Sequence, residues 1–253
     1  MRPVTREDRI RPGSRTRRTT GEARLIPLRD ENPSATVPLV TRALIVLNLA
    51  VFVYEVLLGP GLRSFVFDWG FVPVRLTLAV RYGDLPLLPA VLPVLTSMFL
   101  HGGWSHLIGN LWYLWIFGDN VEDVLGHAGF LVFYLVCGVV ATLLHHLTGP
   151  FAEVPTVGAS GAIAAVLGAY VVAFPRARVF TLLPLFPFFR VVPLPAFFVL
   201  GLWFLFQFVL GLGALGASGS GGIAFWAHIG GFAAGLLVMR VFVVTRRSRA
   251  RAA

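Results

Sequence analysis

The sequence predicts an all-α, polytopic membrane protein of six transmembrane helices with both termini on the cytoplasmic side. Three observations carry that expectation. Hydrophobic residues make up 57% of the 253, charged residues only 13%, and mean hydropathy is +0.79; a soluble chain averages about 25% charged. Six apolar segments approach the roughly 20 residues that a bilayer core requires. The arginines, finally, fall into alternate connections between those segments.

Residues 1–38 read as an arginine-rich cytoplasmic tail, flexible and retained. Apolar sequence begins only near Val37, too late for a secretory signal, and Glu7, Asp8, Glu22, Asp30 and Glu31 argue against a transit peptide. The spans fall at about 39–59, 103–124, 128–148, 157–174, 193–212 and 223–244, the second and fourth being marginal in apolar length. A connection at 60–102, rich in proline and aromatic residues, is too long for a simple turn. Residues 245–253 form a basic cytoplasmic C-terminal tail, so 39–244 is the six-span domain.

Cytoplasmic loops collect arginine. With the N-terminus inside, the inner segments hold the ten arginines through Arg42, then Arg176, Arg178 and Arg190, then five from Arg240 onward. Only Arg63, Arg75 and Arg81 lie outside. The net charge of +9 therefore reports topology and gives no reason to expect a nucleic-acid partner. The single cysteine, Cys137, excludes an intramolecular disulfide and a cysteine metal cluster; its place within a span suits packing.

Walking each even-numbered span inward from its outer end brings Ser160, His228 and His106 to one depth, roughly 5–8 Å below that end. Polar groups at such a depth are costly and face a bundle interior or water. Serine is a weak nucleophile until a base takes its proton. His228 is the candidate base, able to return that proton to a leaving amine. Packing must join two residues 68 positions apart, and small residues supply the means. Gly231 and Gly235 form a G-x-x-x-G face after His228, while Gly161 and Ala165 form a small face beside Ser160. Gly158 frees the backbone where the fourth span starts.

Acyl transfer needs donors for a developing oxyanion. The Ser160 N–H lies in a first helical turn, where such groups lack intrahelical partners. His106 and Asn110 are four apart on one face of the second span, and Asn110 is a candidate side-chain donor. No acid lies in the outer part of the even-numbered spans, so the pattern is a Ser–His dyad. Taken alone, Ser160 reads as a helix cap or packing residue; the matching depth of the two histidines favours catalysis.

At these residues the sequence resembles the rhomboid family of intramembrane serine proteases. The likeness rests on Gly158-Ala-Ser160-Gly161 (G-x-S-G), on Ala227-His228 through Gly231 and Gly235 (A-H-x-x-G-x-x-x-G), and on His101–Asn110 (HGGWSHLIGN). It covers about 39–244, including the span count and the long outer loop, and implies a bacterial type with a rhomboid-like bundle. It further implies cleavage of transmembrane protein substrates in or near their spans. Ser160 is then nucleophile and His228 base, with His106, Asn110 and Ser160 forming the oxyanion hole and no metal or cofactor. Some members place an aromatic residue four positions after the serine, against the histidine; here that position is Ala164. Trp226 and Tyr170 are the aromatic candidates to hold the ring instead. The glycine-rich stretch 211–222 reads as a flexible cover or simple connector, and the resemblance implies a lid.

Other polar residues carry blander readings. His127, His145 and His146 are expected at interfaces, as are Glu55 and the Asp119/Glu122/Asp123 group. His101 is expected to brace the outer loop. No H-E-x-x-H and no acid at ligand spacing accompany the histidines, which argues against metal. The rivals to a protease are a catalytically silent, helix-binding quality-control protein and a small-solute transporter. The first should lack the serine or histidine; the second should show midplane polar residues and internal repeats. The expected location is a bacterial plasma membrane, with the active site facing the extracytoplasmic side.

Overall fold

A computed structural model describes residues 25–185, 188–214 and 224–252. Helices dominate: α1 (Leu39–Leu57), α5 (Trp104–Leu125), α6 (His127–Thr148), α7 (Ser160–Ala173), α8 (Ala196–Ala214) and α9 (Phe225–Ala252) correspond to the six expected segments. The connection at 60–102 is largely helical too, with α2 (Leu62–Trp69), α3 (Pro73–Thr77) and α4 (Leu87–Thr96).

Four of these helices, α1, α6, α8 and α9, are long and apolar enough to cross a membrane. The segment Leu87–Phe99 and α5 pass the same test together, bent by 75° at their junction. The short α7 does not, since 14 residues reach only about 21 Å. Its surroundings explain how it remains helical: every residue from Gly161 to Tyr170 is buried. The helix lies at the centre of the bundle, packed by α5, α6, α8 and α9. Met98, Leu114, Phe117, Tyr134, Leu167 and Met239 contribute to the core around it.

The helix ends are joined by polar contacts that the sequence reading left at interfaces. Glu122 is only 1% exposed. Its carboxylate accepts the N–H groups of Val40 (2.9 Å) and Thr41 (2.8 Å) and the Thr41 hydroxyl (2.7 Å). A carboxylate from α5 thus caps the start of α1, where free N–H groups and the helix dipole favour negative charge. Glu55 is equally buried and accepts the N–H of His101, which ties the end of α1 to the turn before α5.

A three-stranded antiparallel sheet departs from an otherwise helical fold. β1 (Ile26–Asp30), β2 (Arg178–Leu185) and β3 (Phe188–Pro195) lie in the order β1-β2-β3. The expectation of a flexible tail through residue 38 is corrected over residues 26–38. Ile26 and Asp30 pair with Leu182 and Val179, and the Arg29 guanidinium lies 4.2 Å from the Phe180 ring centroid. Beyond the strand, the N–H of Thr36 donates to Asp123 at 3.0 Å, and Ser34 donates to Asp119. The chain there has partners that composition alone does not reveal. Residues 1–24 and most of the glycine-rich 211–222 stretch lie outside the described residues. At the other terminus, α9 carries helix through residue 252, across most of the segment read as a separate basic tail.

Candidate active site

Ser160 is the first residue of α7, and the segment leading to it is fixed from two directions. Phe71 and Thr156 exchange backbone hydrogen bonds (3.0 and 2.7 Å), and the Gly158 N–H donates to the Ser97 carbonyl at 2.9 Å. Gly158 has φ +129°, and a side chain there would place its Cβ 2.7 Å from His106 Nε2. Glycine therefore meets two demands at once: backbone geometry that L side chains rarely adopt, and room for the His106 ring.

The contact between α7 and α9 brings serine and histidine together. A Cβ at Gly231 would run into the Gly161 carbonyl oxygen, and one at Gly235 into the Ala165 carbonyl oxygen. Backbone-to-backbone approach of this kind needs glycine on one side. His228 lies one turn before Gly231, and its Nε2 is 2.7 Å from Ser160 Oγ. His228 is 8% exposed, whereas Ser160 is half-buried.

His106 and Asn110 stand on α5. Gly102 donates its N–H to His106 Nδ1 at 3.4 Å, and the His101 and His106 rings meet edge-on with centroids 5.2 Å apart. Asn110 is buried, and its Nδ2 has no hydrogen-bond partner among the described residues. A buried amide without an acceptor carries a desolvation penalty, so it is a donor available to an incoming oxygen. Among the described residues no group of histidine, cysteine and acidic side chains is arranged to hold a metal. A cavity of about 20 Å³ borders Ser160, lined by Ser97, Met98, Thr142, Gly158, Gly161 and Ala227 among others. That is room for about one water.

Neither aromatic candidate for holding the His228 ring does so. The Tyr170 hydroxyl donates to Asp30 at 2.5 Å, at the sheet end of α7, and Trp226 packs edge-on against Phe208. The ring is instead met by two α8 residues that sequence reasoning passed over. Trp203 lies at 5.9 Å between centroids, and Gln207 Oε1 lies 2.7 Å from His228 Nδ1. The available signal was Gln207 itself, an amide in an otherwise apolar helix.

Fold and site together define a multi-span helical membrane protein with a serine–histidine pair set inside its bundle. The family model for the Rhomboid domain matches residues 89–245, and the chain belongs to the rhomboid family. That family contains serine intramembrane proteases and also catalytically inactive members. The chain is 34% identical over 131 residues to the mitochondrial presenilin-associated rhomboid-like protein of Bos taurus, covering 49% of this chain and 34% of the relative. It is 30% identical over 200 residues to the mitochondrial Rhomboid protein 1 of Saccharomyces cerevisiae (77% and 51%). A chloroplastic Rhomboid-like protein 11 from Arabidopsis thaliana is 44% identical over 75 residues (30% and 26%). The chain thus spans about half or less of the length of these relatives.

Proposed function

We propose that this chain is an intramembrane serine endopeptidase that hydrolyses peptide bonds in or near the transmembrane segments of membrane-protein substrates. The observation that carries the reading is the 2.7 Å approach of Ser160 Oγ to His228 Nε2. Serine and imidazole at hydrogen-bond distance form the minimal unit for nucleophilic acyl transfer.

Ser160 Oγ attacks the scissile carbonyl carbon while its proton passes to His228 Nε2. The resulting oxyanion is met by the Ser160 N–H, the Asn110 Nδ2 donor and His106. The C–N bond then breaks as His228 protonates the departing amine. Water attacks the acyl-serine with His228 again as base, releasing the carboxylic acid and restoring the serine. All the proton traffic runs through one imidazole. A water-sized cavity does not admit a peptide, so substrate entry requires a packed element to move.

The proposal includes six spans, termini on the cytoplasmic side, and a site facing the extracytoplasmic side of a bacterial plasma membrane. The arginine distribution supports this orientation. The organelles in the relatives' names belong to those relatives. The test is incubation of the purified protein with a panel of tagged single-span substrates, beside Ser160→Ala. Wild type should cleave and the variant should not; equal cleavage by both removes the serine mechanism.

A further inference from the structure

His228 has two ring nitrogens, and a base needs the right one free. Its Nε2 faces Ser160 Oγ at 2.7 Å, and its Nδ1 faces Gln207 Oε1 at 2.7 Å. A glutamine side-chain oxygen only accepts hydrogen bonds. With the amide oxygen so placed, Nδ1 is the nitrogen that would donate its proton to Gln207, leaving Nε2 able to take the serine proton. In the neutral ring one nitrogen donates and the other accepts, so holding one side fixes the other. The same contact limits rotation of the ring out of line with Ser160 Oγ. Trp203, one turn before Gln207 on α8, covers the ring face.

The surroundings make this arrangement specific. Ala164, one turn along α7 from Ser160, offers no ring to stack on His228, and the residue is fully packed in the core. Gln207 is also unusual for its place. The α8 sequence from Phe197 to Leu212 contains no other amide, hydroxyl or charged side chain. Polar side chains in such a helix are costly unless partnered, and the partner here is His228.

We infer that Gln207 is a positioning residue for the proposed reaction: it selects the His228 tautomer and fixes the ring from the fifth span rather than from the fourth. The inference rests on the protease reading for its catalytic meaning, but the tautomer itself is measurable without turnover.

The experiment compares wild type, Gln207→Met and Gln207→Glu, each purified whole in detergent. Methionine keeps the length and loses the amide oxygen; glutamate keeps an acceptor at the same place. Two readouts are taken: the rate of labelling by a fluorophosphonate probe, and ring ¹⁵N spectra of histidine-labelled protein, with His228 assigned by substitution. The expected result is Nδ1 protonation of His228 in wild type and Gln207→Glu, with loss of that single tautomer in Gln207→Met. Labelling should fall about 10–100-fold in Gln207→Met, the scale of a small misplacement at a reacting centre, and stay within tenfold of wild type in Gln207→Glu. A packing or lipid-facing role predicts the reverse order, since methionine suits an apolar setting and a carboxylate does not. Equal labelling by wild type and Gln207→Met, or an unchanged tautomer, overturns the inference. Should Gln207→Met not fold, abolished labelling in a folded Gln207→Glu overturns it. If the tautomer shifts as expected but wild type is never labelled, tautomer selection by Gln207 stands while the protease reading, and with it the catalytic meaning of that contact, fails.

Discussion

Replacing Gly231 by alanine tests whether the α7–α9 approach sets the site. A Cβ at position 231 would sit more than 1 Å inside the contact distance to the Gly161 carbonyl oxygen, against an ordinary separation of roughly 3.5 Å. Backbone cannot rotate away, so the helices must part by about 1 Å to relieve the overlap. His228 is three residues away on the same helix. A shift of that size takes its Nε2 from 2.7 Å to roughly 3.7 Å from Ser160 Oγ, beyond proton-transfer reach. Displacements of 1 Å at a reacting centre cost on the order of 100-fold in rate, and overpacking costs about 1–3 kcal/mol in stability. The control is Gly201→Ala on α8, where an added Cβ meets no heavy atom within 4 Å. That change should be neutral, or stabilising by about 0.5–1 kcal/mol through helix propensity. The assay is cleavage of a single-span substrate together with thermal unfolding of the purified variants. If Gly231→Ala cleaves within threefold of wild type and melts at the same temperature, the close approach does not position the dyad.

Asn110→Ala removes a proposed oxyanion donor and should lower kcat by about 10²–10³ while leaving the melting temperature close to wild type; unchanged turnover removes it from that role. At the sheet end, burial raises the Asp30 carboxyl from 3.8 to about 6, against the hydrogen bond from Tyr170 and with help from nearby Asp119. The folded state thus holds this proton more tightly than the unfolded chain does. Its contribution to stability is full below pH 3.8, falls as pH rises to about 6, and is flat above. The melting temperature of Asp30→Asn relative to wild type should therefore climb between pH 4 and 6.5 and then level off. A difference that shrinks over that interval contradicts the assignment.

The residues of the candidate site were legible because ionisable and hydroxyl side chains are rare in apolar spans. Residue counting alone predicts one depth for Ser160, His106 and His228, and Gly231 and Gly235 recur at the spacing of one helix face. The sheet was not legible. Residues 178–195 are apolar and rich in proline, so hydropathy blends them into the start of α8, and pairing with β1 depends on a segment some 150 positions earlier. The docked stretch after β1 was hidden for a related reason: the aspartates receiving Ser34 and Thr36 sit on α5. Glu122 looked interfacial because the Val40 and Thr41 N–H groups and the Thr41 hydroxyl that it accepts from lie on another helix, distant in sequence. Gln207 was visible as an isolated amide, but periodicity does not say which neighbour a lone polar residue meets.

Mapping the site of fluorophosphonate attachment by mass spectrometry, in wild type and His228→Ala, addresses the nucleophile and its base in one measurement. A single adduct on Ser160, formed readily by wild type and at least about 100-fold more slowly without the imidazole, is the outcome expected. Attachment elsewhere, or labelling of Ser160 that proceeds unchanged in His228→Ala, contradicts it.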